Sequence, residues 1–161
     1  MAAQKQSRQF VMKKLTQKVQ RYCAYAERCN YEVRQKLIRL GAEEDTISKI
    51  TTWLQSEGYL DDARFARVFA NGKFQNNRWG KIRISNELMK RQIPESLISK
   101  ALEEIDDQSY KQCLLAIIQK KAKELESKKT GIVKEKVAAY CVQKGFEPDL
   151  VWETLEKNYL A

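Results

Sequence analysis

The sequence predicts an all-α protein built from repeated small helical units. Apolar residues recur at i, i+3 and i+4 along nearly the whole chain. No stretch shows a convincing period-two alternation, and only two prolines and six glycines punctuate 161 residues. Taken in order, Val33, Leu37, Ile38 and Leu40 line one face of a segment that stops at Gly41. Ile47, Ile50, Leu54 and Tyr59 form the next set, and Phe65, Val68 and Phe69 follow. Ile84, Leu88 and Met89 repeat the pattern, then Leu97, Ile98, Leu102 and Ile105. Cys113, Leu114, Ile117 and Ile118 come next, then Val137, Tyr140 and Cys141, and last Leu150, Val151 and Leu155. The periodicity amounts to about nine helices.

The helices align onto themselves. Superposing Gly41, Gln92 and Gly145, at offsets of 51 and 53 residues, brings Val33, Ile84 and Val137 together. It also matches Leu37 with Leu88 and Cys141, Ile38 with Met89 and Val142, Ile47 with Ile98 and Val151, and Thr51 with Leu102 and Leu155. Core positions agree while surface positions drift, as expected of a duplicated packing unit. Each unit reads as a longer first helix, a second ending at the aligned position, and a short third. The predicted boundaries are 1–57 (an N-terminal tail and repeat 1), 58–105 (repeat 2) and 106–161 (repeat 3).

Start and stop signals support these elements. Asp61 suits the N-cap of a helix over Ala63–Asn71, with Leu60 meeting Phe65 as a hydrophobic staple and Asp62 in the first turn. Pro94 suits the first position of the next short helix. Gly41 and Gly145 suit left-handed positions just past helix ends. Thr130-Gly131 separates a long helix ending near Ser127 from one starting near Val133.

Several function classes drop out. The chain has no histidine, which removes Ser-His-Asp and Cys-His catalysis and His-ligated metal. Cys23, Cys29, Cys113 and Cys141 show no CxxC spacing and read as reduced thiols, mostly small core residues of a cytoplasmic protein. Asp61-Asp62 is an adjacent acidic pair, but neighbours at a helix start point in different directions, and capping accounts for Asp61. Glu43-Glu44-Asp45 reads as a first-turn charge set. No glycine-rich phosphate loop is present, and no cofactor is implied. Residues 1–20 carry five cations and no signal-like apolar stretch, and no run approaches a membrane span.

The charge is more informative. The chain carries 30 Lys and Arg against 21 Asp and Glu, a net +9 that points to an anionic partner. It is graded: the three predicted units carry +5, +3 and +1. Between residues 64 and 91 stand Arg64, Arg67, Lys73, Arg78, Lys81, Arg83, Lys90 and Arg91, opposed by Glu87 alone, with Phe74 and Trp79 among them. Cations interleaved with aromatics suit a phosphate backbone and stacked bases. The same run also reads as a solvated helix face, and composition does not separate the two. Lys120, Lys121, Lys123, Lys128 and Lys129 form a second cluster that Glu124 and Glu126 dilute. Trp53 and Trp152 read as packing residues at repeat seams, and Trp79 beside Gly80 as the better surface candidate.

At these residues the chain resembles a known family. Gly58-Tyr59-Leu60-Asp61-Asp62-Ala63-Arg64-Phe65-Ala66 resembles the signature of the RecX regulatory proteins, modulators of the RecA recombinase. Gly80 through Ile93 is similar to that family's second-repeat helix and the turn after it. Arg28 through Leu37 resembles its first-repeat motif, and Lys144-Gly145-Phe146 a motif near its C-terminus. The resemblance covers roughly residues 15–160. Three positions depart from the pattern. Cys29 stands where a capping Ser is usual, Val33 replaces a common Leu, and Gln92 replaces a Gly, leaving either no left-handed cap or about 1 kcal/mol of strain.

The resemblance implies tandem three-helix units in an elongated, curved array. It implies a non-enzymatic regulator of DNA recombination and repair that binds RecA and RecA–single-stranded-DNA filaments and limits their activity. The expected partners are the RecA filament and, weakly and without sequence preference, single-stranded DNA; no membrane is expected, and the protein reads as a monomer. Arg64, Arg67, Arg78, Trp79, Lys81, Arg83, Lys90 and Arg91 are the contact candidates, while Gly58, Tyr59, Leu60, Asp61 and Phe65 are assigned to structure. An alternative is a stand-alone helix-turn-helix-like DNA-binding protein, which would bind DNA tightly without RecA. A third reading, a purely structural scaffold, would bind neither.

Overall fold

The computed structural model describes residues 1–126 and 133–159. Among the described residues there are nine helices and no strand. They are α1 (Ala2–Tyr25), α2 (Asn30–Arg39), α3 (Glu44–Ser56), α4 (Asp62–Asn77), α5 (Lys81–Lys90), α6 (Glu95–Glu103), α7 (Asp107–Glu126), α8 (Val133–Gln143) and α9 (Pro148–Tyr159). The expected break at Thr130-Gly131 and the lysines at 128 and 129 lie outside the described residues.

The chain divides into two compact units: Met1–Ala66 with Arg91–Ile93, and Arg67–Lys90 with Pro94–Ala161. In the first, α1, α2 and α3 pack on one another around Leu15, Val19, Val33, Leu37, Ile47, Ile50, Leu54 and Leu60. Burying each such aliphatic side chain stabilises the fold by about 1.5–3 kcal/mol. In the second, α5 packs on α6, and α7, α8 and α9 pack together over Leu114, Ile118, Cys141, Phe146, Val151 and Leu155.

The helix boundaries have local causes. Gly41, Gly58 and Gly145 all lie in the left-handed region. At each, the amide of the residue after the glycine reaches back six residues: Ala42 to Leu37, Tyr59 to Leu54, Phe146 to Cys141, at 3.0, 2.8 and 3.2 Å. The glycine's own amide reaches the carbonyl three residues back, which completes a Schellman turn. Gln92, aligned with Gly41 and Gly145, adopts φ 56°, so the strained alternative is the one realised.

Asp61 caps α4, its Oδ1 accepting the Arg64 amide at 3.0 Å. The helix runs to Asn77, longer than the expected Ala63–Asn71. Pro94 is the N-cap of α6 rather than its first residue, its ψ of 141° being extended. Cys29 makes no side-chain cap for α2 and is fully buried; instead Oδ1 of Asp62 accepts the Asn30 amide at 2.8 Å. The second aspartate of the pair therefore serves α2, and no carboxylate chemistry is needed to explain either.

Two sequence expectations fail. Ile38, Met89 and Val142, aligned as core, are exposed, at 50%, 52% and 39%. Trp53 and Trp152 are also exposed rather than buried in seams, Trp53 lying stacked on Tyr59 with ring centroids 5.9 Å apart.

Candidate nucleic-acid and partner interface

The sequence-predicted contact residues fall into three groups. In the first unit, Arg64 and Arg91 are engaged internally. The Arg64 guanidinium lies 3.0 Å from Glu27 and donates to the Gly58 carbonyl at 3.0 Å, tying α4 to the turn that ends α3. Arg91 pairs with Glu32 at 3.3 Å, both side chains about three-quarters buried. In the second unit, Lys81 is turned inward: its ammonium sits 3.3 Å from Asp107 and 4.9 Å from the Tyr110 ring centroid. Arg67 and Lys90 are exposed on α4 and α5, Lys90 beside Glu87 at 2.7 Å. That leaves Arg78, Trp79 and Arg83, which come together at the junction of α4 and α5.

The junction is built from the backbone up. Arg78 ends α4 by adopting φ 53°, a conformation an arginine rarely takes, and its amide returns to Phe74 O at 3.0 Å. The Trp79 amide returns to Lys73 O at 3.2 Å. Gly80 then passes against the turn between α8 and α9. Its amide donates to Lys144 O at 2.8 Å, and the Ile82 amide donates to Gly145 O at 3.0 Å. A side chain at Gly80 would place its Cβ 2.1 Å from the Gly145 carbonyl. A Cβ at Gly145 would lie 2.3 Å from that of Arg83. The Lys81 amide donates to the Tyr110 hydroxyl at 2.9 Å, and that hydroxyl donates to Glu147 Oε2 at 2.6 Å. Burial and the carboxylate beside it push the Tyr110 phenol well above its ordinary range, so it stays protonated and keeps both bonds. The rings of Phe74 and Phe146 flank Tyr110, with centroids 5.7 and 5.0 Å away.

Around this seat gather cations. Arg83 lies 4.0 Å from the Trp79 ring centroid and Lys73 lies 4.9 Å from it. Lys144 reaches the Asn77 carbonyl at 3.1 Å. The Cys113 thiol, raised chiefly by burial, feels both Arg78 and Lys144 nearby. Among the described residues no carboxylate lies within ion-pair distance of Lys73, Arg78, Arg83 or Lys144.

The start of α5 stands apart electrostatically. Every helix from α2 to α9 except α5 has an acidic residue in its first turn. In that turn α5 instead carries Lys81 and Arg83, which the helix dipole disfavours by a few tenths of a kcal/mol each. Because the Gly80, Lys81 and Ile82 amides are occupied, the junction presents side-chain cations and not backbone donors. Trp79, half-buried with a guanidinium on its ring, holds cations in place more than it offers an open stacking face. Lys73 belongs to this cluster though it was not among the candidates, and Lys144 enters it from 67 residues away in sequence.

The remaining titratable groups give no catalytic constellation. Burial pushes Cys23, Cys29 and Cys141 up to about 11, which makes them unreactive thiols. Among the described residues no three His, Cys, Asp or Glu converge as metal ligands, and no helix is long and apolar enough to cross a membrane.

Fold and site together define a class: a helical protein of three-helix domains with an uncompensated cationic junction. Comparison with known proteins places the chain within that class. Residues 16–54 match the family model of the first three-helix domain of RecX, and residues 61–102 that of the second. A regulatory protein RecX from Prosthecochloris aestuarii is 30% identical over 136 residues, covering 84% of this chain and 87% of the relative. One from Clostridium botulinum is 29% identical over 128 residues, and the match covers 78% of this chain but 59% of that relative's length. The crystal structure of RecX from Lactobacillus salivarius aligns with a TM-score of 0.83 at 22% identity, covering 94% of this chain and 98% of that one. A second crystal structure of a regulatory protein RecX aligns at 0.81 and 20% identity, covering 92% and 72%. The chain belongs to the RecX family.

Proposed function

We propose that the protein is a non-catalytic regulator that binds RecA and RecA–single-stranded-DNA filaments and limits recombinase activity. The observation that carries this reading, beside family membership, is the junction where Lys73, Arg78, Arg83 and Lys144 converge without a carboxylate partner. Four cations held on one backbone seat suit a partner whose surface is acidic or phosphate-rich. Arg67 and Lys90, exposed elsewhere in the same unit, add to that attraction. Arg64, Arg91 and Lys81 contribute by keeping the helices in place.

The experiment is RecA-driven strand exchange and DNA-dependent ATPase, with the protein added at stoichiometric amounts. The reading expects both activities to fall, and the triple variant Arg78→Glu, Arg83→Glu, Lys144→Glu to lose most of the effect while keeping its helical content. Unchanged RecA activity with the wild-type chain would overturn it. Bare single-stranded DNA should bind weakly, without sequence selectivity, and more weakly still as salt rises. Tight, sequence-selective binding to duplex DNA without RecA would favour a stand-alone DNA-binding protein instead.

A further inference from the structure

Ile38, Met89 and Val142 occupy one position of a recurring turn. Each is the second-last residue before the helix-ending residue that precedes a left-handed one, Gly41, Gln92 or Gly145. The turn itself asks for apolar residues at two neighbouring positions. One is the last-turn residue just before (Leu37, Leu88, Cys141), fully buried in all three cases. The other lies just after the left-handed residue. Neither helix capping nor the core makes a demand on the position between them, yet all three turns fill it with a large apolar side chain exposed to solvent. Each is also followed within two residues by a cation, Arg39, Lys90 or Lys144.

We propose that these three positions are equivalent docking points for a partner that itself repeats. This rests on the functional reading above, and the occupant is one surface element carried by successive RecA subunits of the filament. That element would be apolar where it covers the aliphatic side chain and acidic where it meets the cation. Charge complementarity favours such an occupant, because the chain carries a net +9 and each docking point pairs an apolar side chain with a positive one. A partner with one unique contact surface would use one turn and leave the other two without reason to match. A repeating partner explains all three with one chemistry.

The test uses Ile38→Gln, Met89→Gln and Val142→Gln, singly and together, with Met89→Leu as the conservative control. Full-length labelled protein is titrated with preassembled RecA–single-stranded-DNA filaments and, separately, with bare single-stranded DNA. Circular dichroism and thermal melting confirm the fold, which exposed substitutions should leave intact. Each single change should weaken filament binding roughly tenfold, the losses should multiply in the triple variant, and Met89→Leu should retain binding. Bare-DNA binding should not move. A triple variant that binds filaments as tightly as wild type overturns the proposal. So does a loss carried wholly by one position, which would mean a unique contact, or an equal loss on bare DNA, which would assign the positions to nucleic acid. A wild-type chain that does not bind filaments at all would instead sink the regulatory reading, and this proposal with it.

Discussion

The turn at Gly41 and the turn at Gly145 share their backbone. Both place a glycine in the left-handed region, at φ 79° and 96°, and both close with the same pair of backward hydrogen bonds. Their surroundings differ. Nothing lies within 4 Å of where a Cβ at Gly41 would stand, whereas at Gly145 the Arg83 backbone and Cβ fill that space. The Gly145 turn also lends its Lys144 and Gly145 carbonyls to the start of α5. A repeated local structure has thus been kept in one place as a simple helix stop. In the other it has become the seat on which the cationic junction is assembled. The cap belongs to the repeat, and the function belongs to what is packed against it.

Substitutions at the two turns should separate these roles. Gly80→Ala and Gly145→Ala each force a side chain into backbone, so each should cost about 3 kcal/mol or more by denaturant unfolding. Gly41→Ala meets open space and pays only the left-handed penalty, about 1–2 kcal/mol. Equal costs at Gly41 and Gly145 would contradict the comparison. Tyr110→Phe keeps the ring but removes a hydroxyl with two partners, Lys81 and Glu147, in the buried seat. Leaving the Glu147 carboxylate and the Lys81 amide without that partner should cost about 1–3 kcal/mol, measured the same way.

How much of this was legible beforehand follows from chain chemistry. Gly41 and Gly145 announced left-handed turns because glycine is the residue that takes them freely. Gln92 was legible only through its alignment with them, and Arg78 not at all, since nothing in an arginine signals a positive φ. Periodicity found the helices but misplaced Ile38, Met89 and Val142, because an apolar residue in the last turn satisfies the spacing whether or not the core reaches it. The junction escaped altogether. Its parts come from α4, α5 and the end of α8, and no local pattern ties Lys144 to Asn77. The cap that Asp62 lends to α2 was hidden for the same reason, since its partner lies on a different helix.

Smaller effects sharpen the comparison further. Gln92→Gly would relieve the one strained member of the three aligned turns. It should stabilise the chain by about 0.5–1 kcal/mol, raising Tm by roughly 2–4 °C; a fall in Tm would show that Gln92 contributes packing that outweighs its strain. The smallest effect at neutral pH concerns the thiols. Cys29 and Cys141 are held up to about 11, above the ordinary 9.0, so their folded pKa is the raised one. The stability they contribute is fully present below about pH 9 and is lost as pH rises through 11. Unfolding midpoints should therefore be flat from pH 7 to 9 and decline beyond, and both thiols should react slowly with a disulfide reagent at pH 8. Fast labelling in the native state would place them outside the core.

Binding to preassembled RecA–single-stranded-DNA filaments tests the central claim most directly. Labelled wild-type protein and the Arg78→Glu, Arg83→Glu, Lys144→Glu variant are titrated side by side at two salt concentrations. The account predicts saturable binding by the wild type, weakened by salt and largely lost in the folded variant. Absence of wild-type binding, or a charge-reversed variant that binds as well as the wild type, would contradict it.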